Sequence, residues 1–395
     1  MKYRRFGRTN LNLSVFSLGT MRLASPSVRA NGSSPLLPTI EKAIALGINH
    51  LETARGYGKS EEYLGLYLAS SSAVPREQIY ITTKLPPTPD PQVMAQWIDE
   101  SLTRLQTDYI DFLAIHGINT PKHLDWVTNP QGCLSAIEAA QHQGKIKHLG
   151  FSTHGSLELI LKAIETDLFA FVNLHYYYFK QRNEKAIALA SAKDMGVFII
   201  SPADKGGRLY NPPQTLQELC QPLTPLQFND CWLLSDRRVT TLSMGASCAE
   251  EVRGLEVRRD KISIVGANGI RPKLEASLQK TVKAIDKKLQ QHRNNALKSD
   301  RCSQCYLCLP CPEAINIPEV LRLRNLAVGY DMTDFGKYRY GMLENAGHWF
   351  PGTKGDRCTQ CGDCLPRCPE HLDIPALLQD THQRLNGSPR RRLWE

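Results

Sequence analysis

Two rhythms of apolar and polar positions alternate over the first 290 residues. Short apolar or β-branched runs recur at 15–18, 49–53, 79–83, 109–115, 147–151, 170–174 and 197–200, each followed by a stretch with helical spacing. The best-marked helical stretch opens at Asp90, a capping residue, with Pro91 in its first turn. Val93, Met94, Trp97, Ile98, Leu102 and Leu105 then form a stripe at three-to-four spacing. Gly47, Gly144 and Gly196 stand where helices should stop. Strand–helix alternation of this kind predicts an α/β fold with a parallel sheet and right-handed crossovers. Seven strands are clear, and two runs compete for the eighth: 239–244 and 262–265, both followed by Gly-Ala. The first preserves the alternation after the helical run 225–234. The expectation is an eight-stranded (β/α)8 barrel. An open doubly wound sheet is the competitor, and the lack of a Gly-x-Gly-x-x-Gly after an early strand counts against it.

The chain has 395 residues, 42% apolar and 22% charged, so one barrel of roughly 250 residues plus an appendage fits its length. No apolar run approaches the ~18 residues of a membrane helix. The opening MKYRRFGRTN is followed by no apolar stretch, so it does not read as a secretory signal, and a cytoplasmic location is expected. The net charge of +9 suits anionic small molecules or nucleic acid, but no aromatic-rich basic module accompanies it, which argues against nucleic acid.

Twelve cysteines change the picture, because eight of them fall between 302 and 368. A reducing compartment disfavours disulfides there, which leaves metal. The second group reads Cys358-x2-Cys361-x2-Cys364-x3-Cys368-Pro369, the run that holds [4Fe–4S] clusters, whereas zinc more often uses two separated Cys-x2-Cys knuckles. The first group, Cys302-x2-Cys305-x2-Cys308-x2-Cys311-Pro312, is one residue shorter before its last cysteine. Both are followed by matching text, Pro312-Glu313 with Ile317-Pro318 and Pro369-Glu370 with Ile374-Pro375. An insert of about 46 residues separates them, and its Tyr330, Tyr338, Tyr340, Trp349 and Phe350 can form plain core or cover the clusters. The pair of groups resembles a two-cluster ferredoxin. That resemblance implies a crossover, with one cluster on Cys302, Cys305, Cys308 and Cys368 and the other on Cys358, Cys361, Cys364 and Cys311. The expected domains are a barrel over 1–290 and an iron–sulfur domain, mainly α-helical, over 297–395.

In a barrel the chemistry sits at the carboxyl ends of the strands. There the second strand runs into Glu52-Thr53-Ala54-Arg55-Gly56-Tyr57-Gly58, the third ends in Lys84 and the fourth in His116. Each has an ordinary alternative: Lys84 a solvated strand end, His116 a capped loop residue, Tyr57 a packing residue, Glu52 a partner of Arg55. Together they suit a proton donor. A phenol is a weak acid near neutrality, an adjacent ammonium favours its phenolate, and a carboxylate holds the ammonium charged. The imidazole can orient a carbonyl oxygen. A hydride donor is the natural partner of such a site.

These residues, with the opening Tyr3-Arg4-Arg5-Phe6-Gly7, the run Gly47 to Ala54 with Tyr57-Gly58-x-Ser60-Glu61, and the run Gly144 to Ser152, resemble the aldo/keto reductase family. The resemblance implies a catalytic tetrad of Tyr57, Lys84, His116 and Glu52, the last in place of the family's aspartate. It also implies NADPH, or alternatively NADH, across the barrel mouth. The implied cofactor residues are Thr20, Met21, Ser152, Thr153 (where the family has asparagine), Asn173 (where it has glutamine), Ser201, Gly206 and Ser247. Arg253, Arg258 and Arg259 supply positive charge near the adenosine end. The implied activity is reduction of a small aldehyde or ketone, with no nucleic acid and no membrane as partner. Hydride carries two electrons and a cubane accepts one, so direct coupling needs a flavin-like splitter, of which the sequence shows no signature. The clusters therefore relay electrons to a redox partner, sense redox state, or brace the tail. A second reading is a non-catalytic nucleotide- or partner-binding barrel attached to the iron–sulfur module.

Overall fold

The computed structural model describes residues 1–24, 36–70, 74–252, 254 and 272–390. The run 262–265, Arg253, Arg258 and Arg259 lie outside the described residues. The chain divides into two compact units, Met1–Pro202 with Asn229–Ala276, and Ala203–Phe228 with Ser277–Glu395. The segment 203–228 and the helix Pro272–Leu297, from Ser277 on, pack within the second unit.

The first unit is a closed barrel of eight parallel strands. They are β3 (Phe16–Gly19), β4 (His50–Glu52), β5 (Tyr80–Leu85), β6 (Ile110–His116), β7 (Ile146–Ser152), β8 (Phe171–Leu174), β9 (Gly196–Ile199) and β10 (Thr241–Gly245). β10 pairs with both β3 and β9, so the run at 239–244 supplies the closing strand. The hairpin of β1 (Tyr3–Arg5) and β2 (Asn12–Ser14) precedes it. Phe6, between them, packs its ring 5.2 Å from Phe112 and 5.3 Å from Phe171 and plugs the amino-terminal end of the barrel. A side chain at Gly196 would collide with that ring.

Local rules hold where they were strongest. Asp90 caps the helix Pro91–Leu105 by accepting from the backbone N–H groups of Gln92 (2.8 Å) and Val93 (3.3 Å). The stripe it launches buries Met94, Ile98, Leu102 and Leu105.

Strand residues two apart share a face, and this builds the barrel interior in layers. Gly19, Glu52, Lys84 and Ser243 form the upper layer; Ser17, His50, Thr82 and Thr241 lie two residues below each. The lower layer is hydrogen-bonded throughout. Ser17 Oγ meets His50 Nδ1 at 2.6 Å and Thr241 Oγ1 at 2.7 Å, and His50 Nε2 meets Thr82 Oγ1 at 2.7 Å. Burial, with the charge of Lys84 adding, pulls the His50 pKa down to about 3. The folded protein thus keeps His50 neutral while the unfolded chain protonates it below its ordinary value. Stability should fall between about pH 6.5 and pH 3 by up to ~1.4 kcal/mol per pH unit from this group. Denaturant unfolding of the wild type and of His50→Asn across that window checks it; the variant should lack this share of the slope.

In the second unit the helices Ile317–Tyr330 and Ile374–Leu385 start with proline at position 318 or 375, directly after each cysteine group, where its fixed φ suits a first turn. The insert's Tyr330 (hydroxyl to Leu289 O, 3.2 Å) and Tyr340 (hydroxyl to His382 Nδ1, 2.9 Å) are buried as core. Among the described residues no helix is long and apolar enough to cross a membrane.

Candidate active site

Parallel register brings the ends of β4, β5 and β6 to one level, with Glu52 opposite Thr82 and Lys84 opposite Ala114. Lys84, 1% exposed, spends its donors on three acceptors: the Glu52 carboxylate through an ion pair, Thr53 O at 2.9 Å and the Tyr57 hydroxyl at 3.4 Å. The ammonium also lies 4.8 Å from the Tyr57 ring centroid. His116 sets its ring edge-on to that of Tyr57 at 5.6 Å. The four side chains expected from the sequence therefore converge. Glu52 pairs with Lys84, while Arg55 pairs with Glu100 at 2.5 Å, which removes the alternative of a Glu52–Arg55 pair.

The electrostatics differ from the sequence expectation in one respect. Burial raises the Tyr57 pKa above its ordinary value; the Lys84 charge opposes this, and the Glu52 charge adds to it. The phenol thus retains its proton rather than leaning toward phenolate. Burial pulls the Lys84 ammonium down, but Glu52 and Tyr57 outweigh it and the net shift is upward, so the lysine stays charged.

Two contributors escaped the sequence reading. Ser243 Oγ donates to Glu52 Oε2 at 2.7 Å, and Gly19 lies beside that bond. Their signal was parity: Ser243 falls on the inward face of a strand whose partner across the closure could not be known in advance.

The residues expected to hold a nicotinamide cofactor stand as follows. Asn173, fully buried at the end of β8, leaves both Nδ2 and Oδ1 without a hydrogen-bond partner. An orphaned amide costs free energy unless met, and a carboxamide, with one donor and one acceptor of its own, matches it; the site fits a nicotinamide. The hydroxyls expected beside it are engaged: Ser152 Oγ accepts from Gly117 N at 3.1 Å, and Thr153 Oγ1 donates to Ile118 O at 2.6 Å. Thr20 Oγ1 donates to Glu52 O at 2.9 Å, and Met21 opens a short 3-10 turn. Ser201 adopts a positive φ of 53°. Gly206 belongs to the second compact unit. Ser247 binds Glu251 through its hydroxyl (2.9 Å), and Arg22 clamps the same carboxylate at 2.7 and 3.0 Å, an ion pair the sequence did not announce.

In the second unit the two cysteine loops match in backbone conformation at three pairs of positions. Left-handed φ values occur at Gln304 (63°) and Gln360 (58°), at Tyr306 (66°) and Gly362 (83°), and at Ala314 (53°) and His371 (52°), positions that correspond between the motifs. Cys311 lines one cavity of about 340 Å³, open mouth included, together with Cys358, Cys361 and Cys364. On the other side, burial pushes the Cys302 thiol up, and charge on Cys305 and Cys368 adds to it. Burial likewise pushes Cys308 up to about 12, with Cys302 and Cys305 among the contributors. Cys358, Cys361 and Cys364 thus have Cys311, the last cysteine of the other motif, in the same cavity lining, and Cys302 has Cys368 among its neighbours. Among the described residues no three His, Cys, Asp or Glu side chains gather to hold a single metal ion; a cubane instead takes one thiolate at each of four irons.

Comparison with known proteins agrees with this organisation. Residues 16–224 match the model of the aldo/keto reductase family, and residues 301–372 match a 4Fe-4S dicluster domain. Among curated relatives, the "Uncharacterized oxidoreductase YqkF" of Bacillus subtilis (strain 168) is 24% identical over 290 residues, 64% of this chain and 89% of its own. The "6-dehydroglucose reductase" of Novosphingobium aromaticivorans is 32% identical over 166 residues, 38% of this chain and 51% of its own. Among solved structures, the holo form of aldo-keto reductase AKR11C1 from Bacillus halodurans superposes with TM-score 0.57 at 22% identity, covering 72% of this chain and 97% of that one. The aldo-keto reductase from Klebsiella pneumoniae in complex with NADPH gives TM-score 0.55 at 20% identity, covering 71% and 94%. By its barrel and by the family model that spans more than half its length, this chain belongs to the aldo/keto reductase family, with a 4Fe-4S dicluster domain fused at its C-terminal end.

Proposed function

We propose that the protein is an NAD(P)H-dependent reductase of a small aldehyde or ketone. One observation carries the reading: a buried, fully engaged lysine touches the hydroxyl of a partly exposed tyrosine beside a histidine. When bound, the reduced nicotinamide supplies hydride to the carbonyl carbon, with Asn173 the residue to engage its carboxamide. Tyr57 holds the proton that passes to the carbonyl oxygen. Lys84 stabilises the phenolate left behind, which is where its charge matters most, since the resting phenol is neutral. Glu52 keeps Lys84 charged and fixed in place, and His116 orients the oxygen. Thr20, Met21, Ser152, Thr153, Ser201 and Ser247 complete the proposed cofactor path on the first unit, NADPH being favoured over NADH by the family resemblance.

The same proposal gives the second unit two [4Fe–4S] clusters, one on Cys302, Cys305, Cys308 and Cys368 and one on Cys358, Cys361, Cys364 and Cys311. Their role is electron relay to a redox partner, in a cytoplasmic protein with no nucleic-acid or membrane partner. Anaerobic protein mixed with NADPH and a panel of aldehydes, ketones and quinones tests the activity by loss of nicotinamide absorbance. Oxidation that depends on the carbonyl supports it. Tight nucleotide binding without oxidation in any well would favour the non-catalytic reading.

A further inference from the structure

Glu52 stands where the family resemblance leads one to expect an aspartate, and the longer side chain must be housed. The housing is visible at the end of β3. Gly19 has no positive φ, so backbone conformation does not require glycine there. What does require it is space: a Cβ at position 19 would lie 2.8 Å from Ser243 Oγ and 3.1 Å from Glu52 Oε2. Those two atoms are the donor and acceptor of the 2.7 Å hydrogen bond that ties Glu52 to β10. β3 runs between β4 and β10, with Gly19 opposite Glu52 on one side and Gly245 on the other.

We propose that Gly19 and Ser243 are positioning residues that form a socket for Glu52, so that a glutamate performs the lysine-holding task. The proposal rests on the carbonyl-reductase reading of the site. Glu52 uses one carboxylate oxygen on Lys84 and the other on Ser243, so its orientation is fixed from both ends. Beneath it the neutral layer of Ser17, His50, Thr82 and Thr241 offers no competing charge. An aspartate is shorter by one methylene, roughly 1.5 Å of bond length. From the same backbone it cannot span the lysine and the serine together, and it leaves a gap beside Gly19. Such a gap is what an alanine methyl fills.

The consequence is a reversal of sign between two substitutions. Glu52→Asp and Gly19→Ala should each lower kcat by about 10-fold or more, with smaller changes in KM, since both loosen Lys84. The double variant Gly19→Ala/Glu52→Asp should return to within about 3-fold of the wild type. Ser243→Ala should reduce the penalty of Gly19→Ala, because it removes the nearest colliding atom. Melting temperatures of the wild type, the two single variants at 19 and 52 and their double should follow the same order.

Rescue of kcat and melting temperature in the double variant is the expected result; recovery of a folded double when Gly19→Ala alone does not fold is the same result in stronger form. Losses that simply accumulate overturn the socket. If the wild type reduces no carbonyl, the reductase reading fails on that ground, and the melting-temperature cycle still decides the socket.

Discussion

Lys84→Met is expected to abolish turnover, lowering kcat by about 10³-fold or more, and to cost about 3–5 kcal/mol of stability. Both effects follow from burial. Lys84 is 1% exposed and Glu52 4%, so the pair has given up its hydration and each member depends on the other. Removing the cation strands a carboxylate in the barrel, with Ser243 as its remaining hydrogen-bond partner among those described above. At the same time the phenolate formed at Tyr57 loses the charge 3.4 Å away that stabilises it. The two effects separate in the double variant Glu52→Gln/Lys84→Met. Neutralising both partners removes the stranded charge, so much of the stability should return, while turnover should not. Thermal unfolding and NADPH oxidation on the three proteins check this. Full stability in Lys84→Met alone would contradict the pairing.

The second large effect concerns the wiring of the clusters. In the crossed arrangement Cys302 and Cys368 serve one cluster, although they lie at opposite ends of the cysteine-rich segment. Cys302→Ala/Cys368→Ala should therefore lose one cluster only, with iron falling from about eight to about four per chain. In a local arrangement, each motif closing its own site, the same double variant damages both. The cavity shared by Cys311 with Cys358, Cys361 and Cys364 predicts that the surviving cluster sits there. Iron and sulfide analysis with the electron paramagnetic resonance of the reduced protein distinguishes the two arrangements.

What could be read from the sequence was what depends on neighbours in the chain. The helix over 91–105 announced itself through Asp90, Pro91 and an apolar stripe, and strand ends delivered Glu52, Lys84 and His116 in order. The cysteine loops are marked by their spacing alone. What could not be read depends on closure. Ser243 meets Glu52 across 191 residues, and only the pairing of β10 with β3 brings them together. Gly19 looked like any glycine at a strand end until its neighbours were known. Lys84 alone would lower the Tyr57 pKa; burial, which is a property of the whole barrel, outweighs it and raises the pKa. The segment 203–228 likewise continues the chain from β9, yet packs within the second unit.

Tyr57 is proposed to deliver the proton to a carbonyl oxygen held at the barrel mouth. Single-turnover reduction by Tyr57→Phe, followed at the nicotinamide absorbance under anaerobic conditions, tests it most directly. The predicted result is a rate about 10²–10⁴-fold below the wild type, with nucleotide affinity unchanged, because the phenylalanine keeps the ring against His116 and removes only the hydroxyl. A variant that reduces the carbonyl at the parental rate would contradict it.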